Sequence, residues 1–164
     1  LGITNRGRAV NATDADFTIV VDPEGAFGVE TERGSVGLQG FDEVVQLQAG
    51  HRLQALPGRE PVSAPVSSAL LLKVDWPEGA VTRSAEVTIR GRTDPYASVV
   101  LGDGTSVRAG ADGKFRAKVA LKEGENDLKI RVRDVMGRET DSKRTFTRDS
   151  TAPSVQSTEV LWGQ

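Results

Sequence analysis

The side chains that most often carry catalysis or bind transition metals are nearly absent from this chain. His51 is its single histidine, and the sequence contains no cysteine. A lone imidazole cannot form a histidine metal triad or a paired-imidazole switch, and without thiols there is neither a disulfide framework nor a thiolate metal site. Because His51 directly follows Gly50, we interpret it as a polar residue at a turn.

Paired carboxylates occur twice near the start of the chain, as Asp14/Asp16 and Asp22/Glu24. Such pairs suit general acid–base catalysis or calcium binding. Each pair falls in a turn, and neither continues into the spaced Asp-x-Asp-x-Asp-Gly ladder of a calcium loop. Turn and capping roles are therefore the favoured interpretation, ahead of surface calcium binding and of catalysis. We predict no catalytic residue, no metal ligand and no cofactor.

Basic side chains recur between the apolar positions of three predicted strands. Because side chains on a strand alternate between its two faces, these cations collect on the outward face of one or both sheets. A solvated face that discourages edge aggregation is the favoured interpretation, and contact with an anionic polymer or an acidic partner is the alternative. Nucleic acid is disfavoured, since acidic residues flank the cations and no aromatic platform accompanies them. This basic stripe comprises Arg90, Arg92, Arg116, Lys118, Lys129, Arg131 and Arg133.

Three aromatic residues are candidates for packing or contact. Trp76 ends an alternating apolar run that begins at Leu70, which favours a place in the core over a sugar-stacking platform. Tyr96 follows Asp94-Pro95 in a predicted corner, where we expect it to be exposed and to be the first place to look for a saccharide contact. Trp162 lies beyond the predicted domains, and an exposed indole there indicates an interface.

The elements that would position these residues are short strands. Between Glu86 and Arg138, alternating apolar runs are separated by tight turns containing Asp, Asn or Gly. Each run buries one face and exposes the other, and the Asp-Gly and Asn-bearing turns provide the positive φ that hairpins need. This pattern predicts an antiparallel β-sandwich. The inward positions are Val87, Ile89, Ala97, Val99, Leu101, Phe115, Ala117, Val119, Leu121, Leu128, Ile130 and Val132.

The region before residue 60 also consists of short β-branched runs broken by glycine, with no sustained helical spacing. Two of its segments, 31–36 and 47–53, resemble each other and place Gly34 and Gly50 at equivalent positions. A repeat of this kind favours stacked rungs of a β-solenoid or a jelly-roll-like double sheet. An ordinary meander is an equal alternative.

Charge divides the chain into two parts. Up to Ser67 there are five arginines and nine acidic residues, a net charge of −4, whereas Lys73 to Asp149 carries sixteen basic and thirteen acidic residues, a net charge of +3. The change falls at a stretch rich in proline and serine around Pro61 and Pro65, which indicates a domain boundary. Opposite charges also suggest that the two parts, or successive copies, meet through complementary surfaces.

The first part resembles the carboxy-terminal portion of a FecR domain over residues of about 1–58. It departs from that family at residues 13–17, where a Gly-Thr pair is usual, and the earlier strands of the family are missing. The resemblance implies a non-catalytic, extracytoplasmic domain of the kind found in periplasmic regulators and envelope proteins. It is carried by the segments 12–25 (ATDADFTIVVDPEG), Val29, 32–36 (ERGSV) and 45–51 (VQLQAGH).

The second part resembles the bacterial immunoglobulin-like module typified by domain B of glucodextranase. The frame G-x-T-x-P-x-A-x-V, D-G-x-F, V-x-L-x-x-G-x-N and V-x-D-x-x-G is nearly complete in it. The resemblance implies an immunoglobulin-like fold and roles as spacer, stacking unit or contact module. It is carried by the segments 91–99 (GRTDPYASV), 112–115 (DGKF), 119–126 (VALKEGEN) and 134–138 (DVMGR).

We therefore predict an all-β protein with a FecR-like domain, truncated at its start and built as a β-solenoid or jelly-roll-like sheet, and an immunoglobulin-like antiparallel β-sandwich. The predicted bounds are 1–60 for the first domain, 61–68 for a Pro/Ser linker, 69–149 for the sandwich, and 150–164 for an exit linker or further element. Because the sequence opens at Leu1 within folded-looking sequence, we interpret it as a fragment of a longer protein.

The predicted function is a non-enzymatic scaffold or signal relay in the bacterial periplasm or another extracytoplasmic part of the envelope. Expected partners are other envelope proteins or copies of the chain itself, with peptidoglycan or another polysaccharide as a further candidate. We expect no nucleic-acid partner and no membrane span in this fragment. The alternative is a carbohydrate-binding or spacer accessory segment of a secreted glycoside hydrolase.

Overall fold

A computed structural model describes residues 2–5 and 7–151, and these contain sixteen β-strands and no helix. No helix in this described part could therefore cross a membrane. The strands are β1 (Gly2–Asn5), β2 (Arg8–Ala12), β3 (Asp16–Val21), β4 (Phe27–Arg33), β5 (Ser35–Gln39), β6 (Val45–Gln48), β7 (His51–Ala55), β8 (Val62–Pro65), β9 (Leu72–Asp75), β10 (Val81–Thr82), β11 (Glu86–Thr93), β12 (Ser98–Leu101), β13 (Ser106–Arg108), β14 (Lys114–Ala120), β15 (Gly124–Arg133) and β16 (Glu139–Arg148).

The first half is a double sheet of antiparallel strands. Successive hairpins alternate between a sheet of order β1-β2-β5-β6 and a sheet of order β3-β4-β7-β8. Both sheets contribute to one core, which includes Val10, Val29, Leu38 and Leu53. The double-sheet alternative therefore describes the structure, whereas the solenoid does not, because stacked solenoid rungs would pair strands in parallel.

The two glycines that mark the sequence echo lie where the chain crosses from one sheet to the other. Gly34 separates β4 from β5, and Gly50 separates β6 from β7; both have positive φ, 73° and 75°. A Cβ at Gly34 would lie 2.4 Å from the backbone oxygen of Asp14. The echo therefore reflects two similar corners rather than two rungs.

The second half is a sandwich of a three-stranded sheet, β14-β11-β9, and a five-stranded sheet, β10-β16-β15-β12-β13. All of its pairings are antiparallel except the two-residue pair of β10 with β16. Its core includes Ile89, Val99, Ile130 and Val132, each fully buried. The prediction of an all-β protein with an immunoglobulin-like antiparallel sandwich is confirmed.

Part of the segment expected to be a linker is a strand. Val62–Pro65 forms β8 and pairs antiparallel with β7, so it extends a sheet of the first half. The proline at the end of β8 is compatible with this place because β8 lies at the edge of its sheet. The domain bounds themselves stay a prediction.

Asn126, the asparagine of the predicted V-x-L-x-x-G-x-N motif, closes a turn with its side-chain amide. Its Oδ1 accepts a hydrogen bond from Lys122 N at 2.8 Å, and its Nδ2 donates to the carbonyls of Lys122 and Gly124, each at 2.8 Å. Asn126→Ala leaves these groups without partners, so we expect it to lower the free energy of unfolding by about 1–2 kcal/mol in urea denaturation. Glu125→Ala, at the exposed neighbouring position, is the control and should change stability by less than about 0.5 kcal/mol; equal losses would contradict the turn-closing role.

Candidate functional site

The two halves meet on the outward face of the sheet β3-β4-β7-β8. Along β7, Leu53 and Ala55 belong to the core of the first half, so Arg52 and Gln54 point to the opposite face. Both polar residues are nevertheless buried. Two corners of the second half, residues 94–96 and the β15–β16 turn at 134–138, approach this face at Arg52 and at Gly28, the cross-strand neighbour of Gln54. We call these corners and this sheet face the interdomain interface.

A network of two arginines and two aspartates lies at the centre of the interdomain interface. Arg52 Nη2 donates to Asp94 Oδ2 at 2.5 Å, and Arg52 Nη1 lies 3.7 Å from Asp134 Oδ2. Arg138 Nη2 lies 2.6 Å from Asp134 Oδ2 and 3.3 Å from Asp94 Oδ2. The side chains of Arg52, Asp94 and Asp134 are only 4, 9 and 0 % exposed. The two charges of each sign balance, which is a condition for burying ions inside a protein.

The β15–β16 turn holds Asp134 in place through hydrogen bonds of its own. Its Oδ1 accepts a hydrogen bond from the backbone N–H of Arg138 at 2.7 Å, and its own carbonyl accepts one from Gly137 N at 3.1 Å. Burial raises the pKa of Asp134 to about 6, the cation of Arg52 opposes this rise, and the carboxylate of Asp94 adds to it. At neutral pH the interface therefore contains a charged carboxylate whose charged form is less favourable there than in water.

The raised pKa of Asp134 predicts how the stability of the fold depends on pH. A carboxyl whose pKa is raised in the folded state binds its proton more tightly there than in the unfolded chain. Its contribution to stability is therefore fully present below pH 3.8, the ordinary pKa, and is lost as the pH rises through about 6. The charged groups that face it are Arg52, Asp94 and Arg138. We expect the free energy of unfolding of the native chain to fall, relative to Asp134→Asn, as the pH rises from about 4 to about 7. Urea denaturation across this range tests it, and parallel curves for the two proteins would contradict it.

A second set of contacts lies beside the network and uses Arg108 of β13. Its Nη2 is 3.3 Å from Asp22 Oδ2 and also pairs with Glu24, while its Nη1 donates to the carbonyl of Tyr96 at 3.2 Å. Asp22 in turn accepts a hydrogen bond from the backbone N–H of Ala26 at 2.7 Å. The Asp22/Glu24 pair thus closes a turn and contacts the second half.

Tyr96 lies inside the interdomain interface, and the expectation that it is exposed is wrong. Only 3 % of the residue is accessible, and its hydroxyl donates to the carbonyl of Glu60 at 2.6 Å. Its backbone has a left-handed φ of 58°, which is costly for a non-glycine residue and is held by the surrounding contacts. Because the ring packs with Ala26 and Val135, it has no free face for a sugar.

The other two aromatic candidates differ in what the structure describes. Trp76 packs partly buried against the sandwich core, with its ring centroid 6.1 Å from that of Phe146. Trp162 lies outside the described residues, so its predicted interface role stays a prediction. The same holds for the predicted exit linker beyond residue 151.

The basic stripe is divided between opposite faces of the sandwich. Arg90, Arg92, Arg116 and Lys118 lie on the three-stranded sheet, and the remaining three cations lie on β15 in the five-stranded sheet. Where these cations form ion pairs, the partners belong to the second half: Lys118 with Glu86 at 2.7 Å, Lys129 with Asp141 at 3.4 Å and Arg133 with Glu139 at 3.7 Å.

The two halves carry complementary charges where they meet, and each half supplies both a cation and carboxylates to these pairs. Arg108 pairs with acidic residues of the first half, as the net charges suggest, whereas Arg52 of the acidic first half pairs with Asp94 and Asp134 of the basic second half. Local placement rather than net charge therefore determines the interdomain interface.

The remaining chemistry-bearing residues take part in local contacts. Asp16 accepts a hydrogen bond from Arg33 Nε at 2.7 Å, and Asp14 lies 3.6 Å from Arg33 Nη1. This hydrogen bond and the charge of Arg33 lower the pKa of Asp16. His51 Nδ1 lies 3.3 Å from the carbonyl of Ala49. Within residues 2–5 and 7–151, no three histidine, aspartate or glutamate side chains are grouped so that they could hold a metal ion.

The residues that join the halves were not predicted from the sequence. Arg52 alternates with core residues on β7, so the two-residue period predicts that it faces solvent. We predicted Asp94 in a corner and Asp134 in a segment of the family resemblance, and we predicted no contact for either. A sequence signal was available in Gly28, the second residue of β4, since a glycine inside a strand can mark a close approach of another segment. A Cβ there would lie 2.7 Å from Met136 Sδ.

The fold and the interdomain interface define a class: a two-part β-protein in which an antiparallel double sheet packs against the corners of an immunoglobulin-like sandwich. Comparison with known families gives a similarity for the second part. The family model described as glucodextranase, domain B, matches residues 71–150. No curated protein matches the chain significantly. The resemblance of residues 1–58 to a FecR domain stays a prediction.

Proposed function

We propose that this chain is a non-catalytic, extracytoplasmic scaffold segment that holds two β-domains in a fixed relative orientation. In this role it positions whatever is attached to one domain with respect to whatever contacts the other. Such a segment serves equally as a mechanical spacer and as a relay of a contact from one end to the other, because a displacement of one domain moves its partner.

The observation that carries this proposal is the buried Arg52, Asp94, Asp134 and Arg138 network. Two domains joined only by a flexible linker usually meet through a small, polar and hydrated surface. Here, four charges are shared between the halves, and separating them would leave the charged groups without the partners for which they are placed. The Tyr96 hydroxyl and Arg108 add contacts on either side.

The extracytoplasmic location is proposed from resemblance. The family that matches residues 71–150 is named after a domain of glucodextranase, which implies a secreted protein. The FecR-like features of the first half imply a periplasmic or envelope protein. Both resemblances are to non-catalytic domains, in agreement with a contact role.

A second candidate function is an accessory or spacer segment of a secreted glycoside hydrolase, and the family match is the observation that favours it. The two candidates differ in what this segment would be attached to: a catalytic domain in the second, an envelope protein in the first. Retention of the chain on immobilised dextran would support a sugar-binding accessory role. Passage through that matrix without retention would count against sugar binding and leave the spacer form of this candidate.

Rigid coupling is tested by measuring one distance across the halves. The chain contains no cysteine, so spin labels attach only at Gln48→Cys on β6 and Lys143→Cys on β16, two exposed positions. We expect double electron–electron resonance to give one narrow distance distribution. The same labels on Arg52→Met give the comparison, where the distribution should broaden. A broad distribution in the otherwise native chain would overturn the proposal.

A further inference from the structure

The outward face of the three-stranded sheet β14-β11-β9 carries positive charge that the fold itself does not need. Its central row places Arg92 opposite Lys73 on one side and Lys114 on the other, and the next row places Arg90 opposite Arg116 on one side and Asp75 on the other. Like charges directly opposite one another lower the stability of a sheet. A merely solvated face has no need of this arrangement, because uncharged polar residues would serve.

Few of these cations are neutralised. Lys114 pairs with Asp112 at 2.9 Å and Lys118 with Glu86 at 2.7 Å. In the described part of the chain, Lys73, Arg90, Arg92 and Arg116 have no carboxylate within ion-pairing distance. The five-stranded sheet differs, since two of its three stripe cations have carboxylate partners on the same face. The excess charge is thus specific to one face.

This face is also concave. A groove of about 510 Å³ lies over it. Asp75 is the one carboxylate in its lining, and the basic side chains there are Lys73, Arg90, Arg92, Arg108, Lys114 and Arg116. Adjacent strands are about 4.8 Å apart, and alternate residues along one strand about 6.8 Å apart, so the cations form a regular two-dimensional array. We propose that this groove binds an acidic polysaccharide, with arginine side chains contacting its carboxylate or sulfate groups.

The chemistry of the lining favours this class over other polyanions. The one aromatic residue in the groove is Phe115, which is buried at 5 % exposure, so there is no platform on which nucleic-acid bases could stack. None of the exposed large hydrophobic residues lines the groove, so it lacks the apolar centre typical of protein–protein interfaces. A linear polymer with a charged group on each sugar ring matches a regular array of guanidinium groups, which bind planar anions in bidentate fashion.

Apart from Arg108 of β13, which also pairs with Asp22 and Glu24, the residues of this groove lie on β9, β11 and β14. The inference does not depend on the proposed coupling of the halves. The test uses the whole chain with alginate, heparin, neutral dextran and poly-dT as probes, in calorimetric titrations at low salt. We expect alginate or heparin to bind and the affinity to fall as sodium chloride is added. Arg90→Gln/Arg92→Gln/Arg116→Gln should weaken binding at least about tenfold. Its thermal midpoint should be unchanged or higher, because like-charge repulsion is relieved.

The matched control makes the same change in charge on the other face, as Lys129→Gln/Arg131→Gln/Arg133→Gln. We expect this variant to keep its affinity within about twofold. The proposal is overturned if neither acidic polysaccharide binds, if both triple variants lose affinity equally, or if dextran or poly-dT binds as tightly. Self-association of the chain at low salt that the first triple variant abolishes would also overturn it, since the groove would then bind a second copy.

Discussion

Replacing Arg52 with methionine is expected to lower the free energy of unfolding by about 3–5 kcal/mol. The methionine keeps much of the volume of the arginine stem but removes the cation that lies 2.5 Å from Asp94 and 3.7 Å from Asp134. Two buried carboxylates then face each other with only Arg138, whose side chain is 26 % exposed, to neutralise them. The pKa of Asp134 should rise further, since the charge that opposes its rise is gone.

Urea denaturation at neutral pH, followed by far-ultraviolet circular dichroism, measures this loss. The matched control is Arg33→Met, which removes an exposed pair with Asp16, 62 and 58 % accessible, and should cost less than about 1 kcal/mol. Arg52→Met/Asp94→Leu should recover part of the stability, because one of the two isolated carboxylates is removed with its partner. Equal effects of Arg52→Met and Arg33→Met would contradict the central place of the network.

Replacing Gly28 with leucine is expected to separate the two halves while leaving each folded. Gly28 lies on the face of β4 that contacts the second half, and a Cβ there would lie 2.7 Å from Met136 Sδ and 3.1 Å from Val135 Cγ1. A single methyl group could be accommodated by rotation of the methionine, but a branched side chain fills space that the β15–β16 turn occupies. The measurable result is a broadened distance distribution between spin labels at positions 48 and 143.

The control for Gly28→Leu is Gly37→Leu in β5. A Cβ at Gly37 would lie 3.3 Å from Gln46 Nε2, the mobile end of a side chain, on the outward face of the other sheet. This variant should keep the narrow distribution. Gly28→Ala combined with Met136→Ala should show favourable coupling in a double-mutant cycle, because each change makes room for the other. A narrow distribution in Gly28→Leu would show that the glycine does not set the approach of the halves.

The fold could be predicted where one face of a strand is buried and the other exposed. In β14, Phe115, Ala117 and Val119 are buried and the residues between them exposed, so the two-residue period specifies both the strand and its register. The turns could be predicted equally well, because asparagine and glycine are the residues that adopt the positive φ angles of tight turns.

The interdomain interface could not be predicted because both faces of β7 are covered. Arg52, Leu53, Gln54 and Ala55 are all buried, and an alternating sequence gives no sign that the polar side is covered as well. The position of Tyr96 depends on the same packing of the halves. Contacts of this kind arise from the meeting of two folded units, which a local pattern does not encode.

Three of the outermost strands, β8, β10 and β13, also affect how copies of the chain behave at high concentration. β10 has two residues, β13 has three, and β8 ends in Pro65. Strands this short, or ending in a residue without an N–H, give another polypeptide few backbone groups on which to build a cross-β ladder. Crowded copies are thus protected at these margins from fibril growth and should meet through their side chains, in contacts that can be reversed.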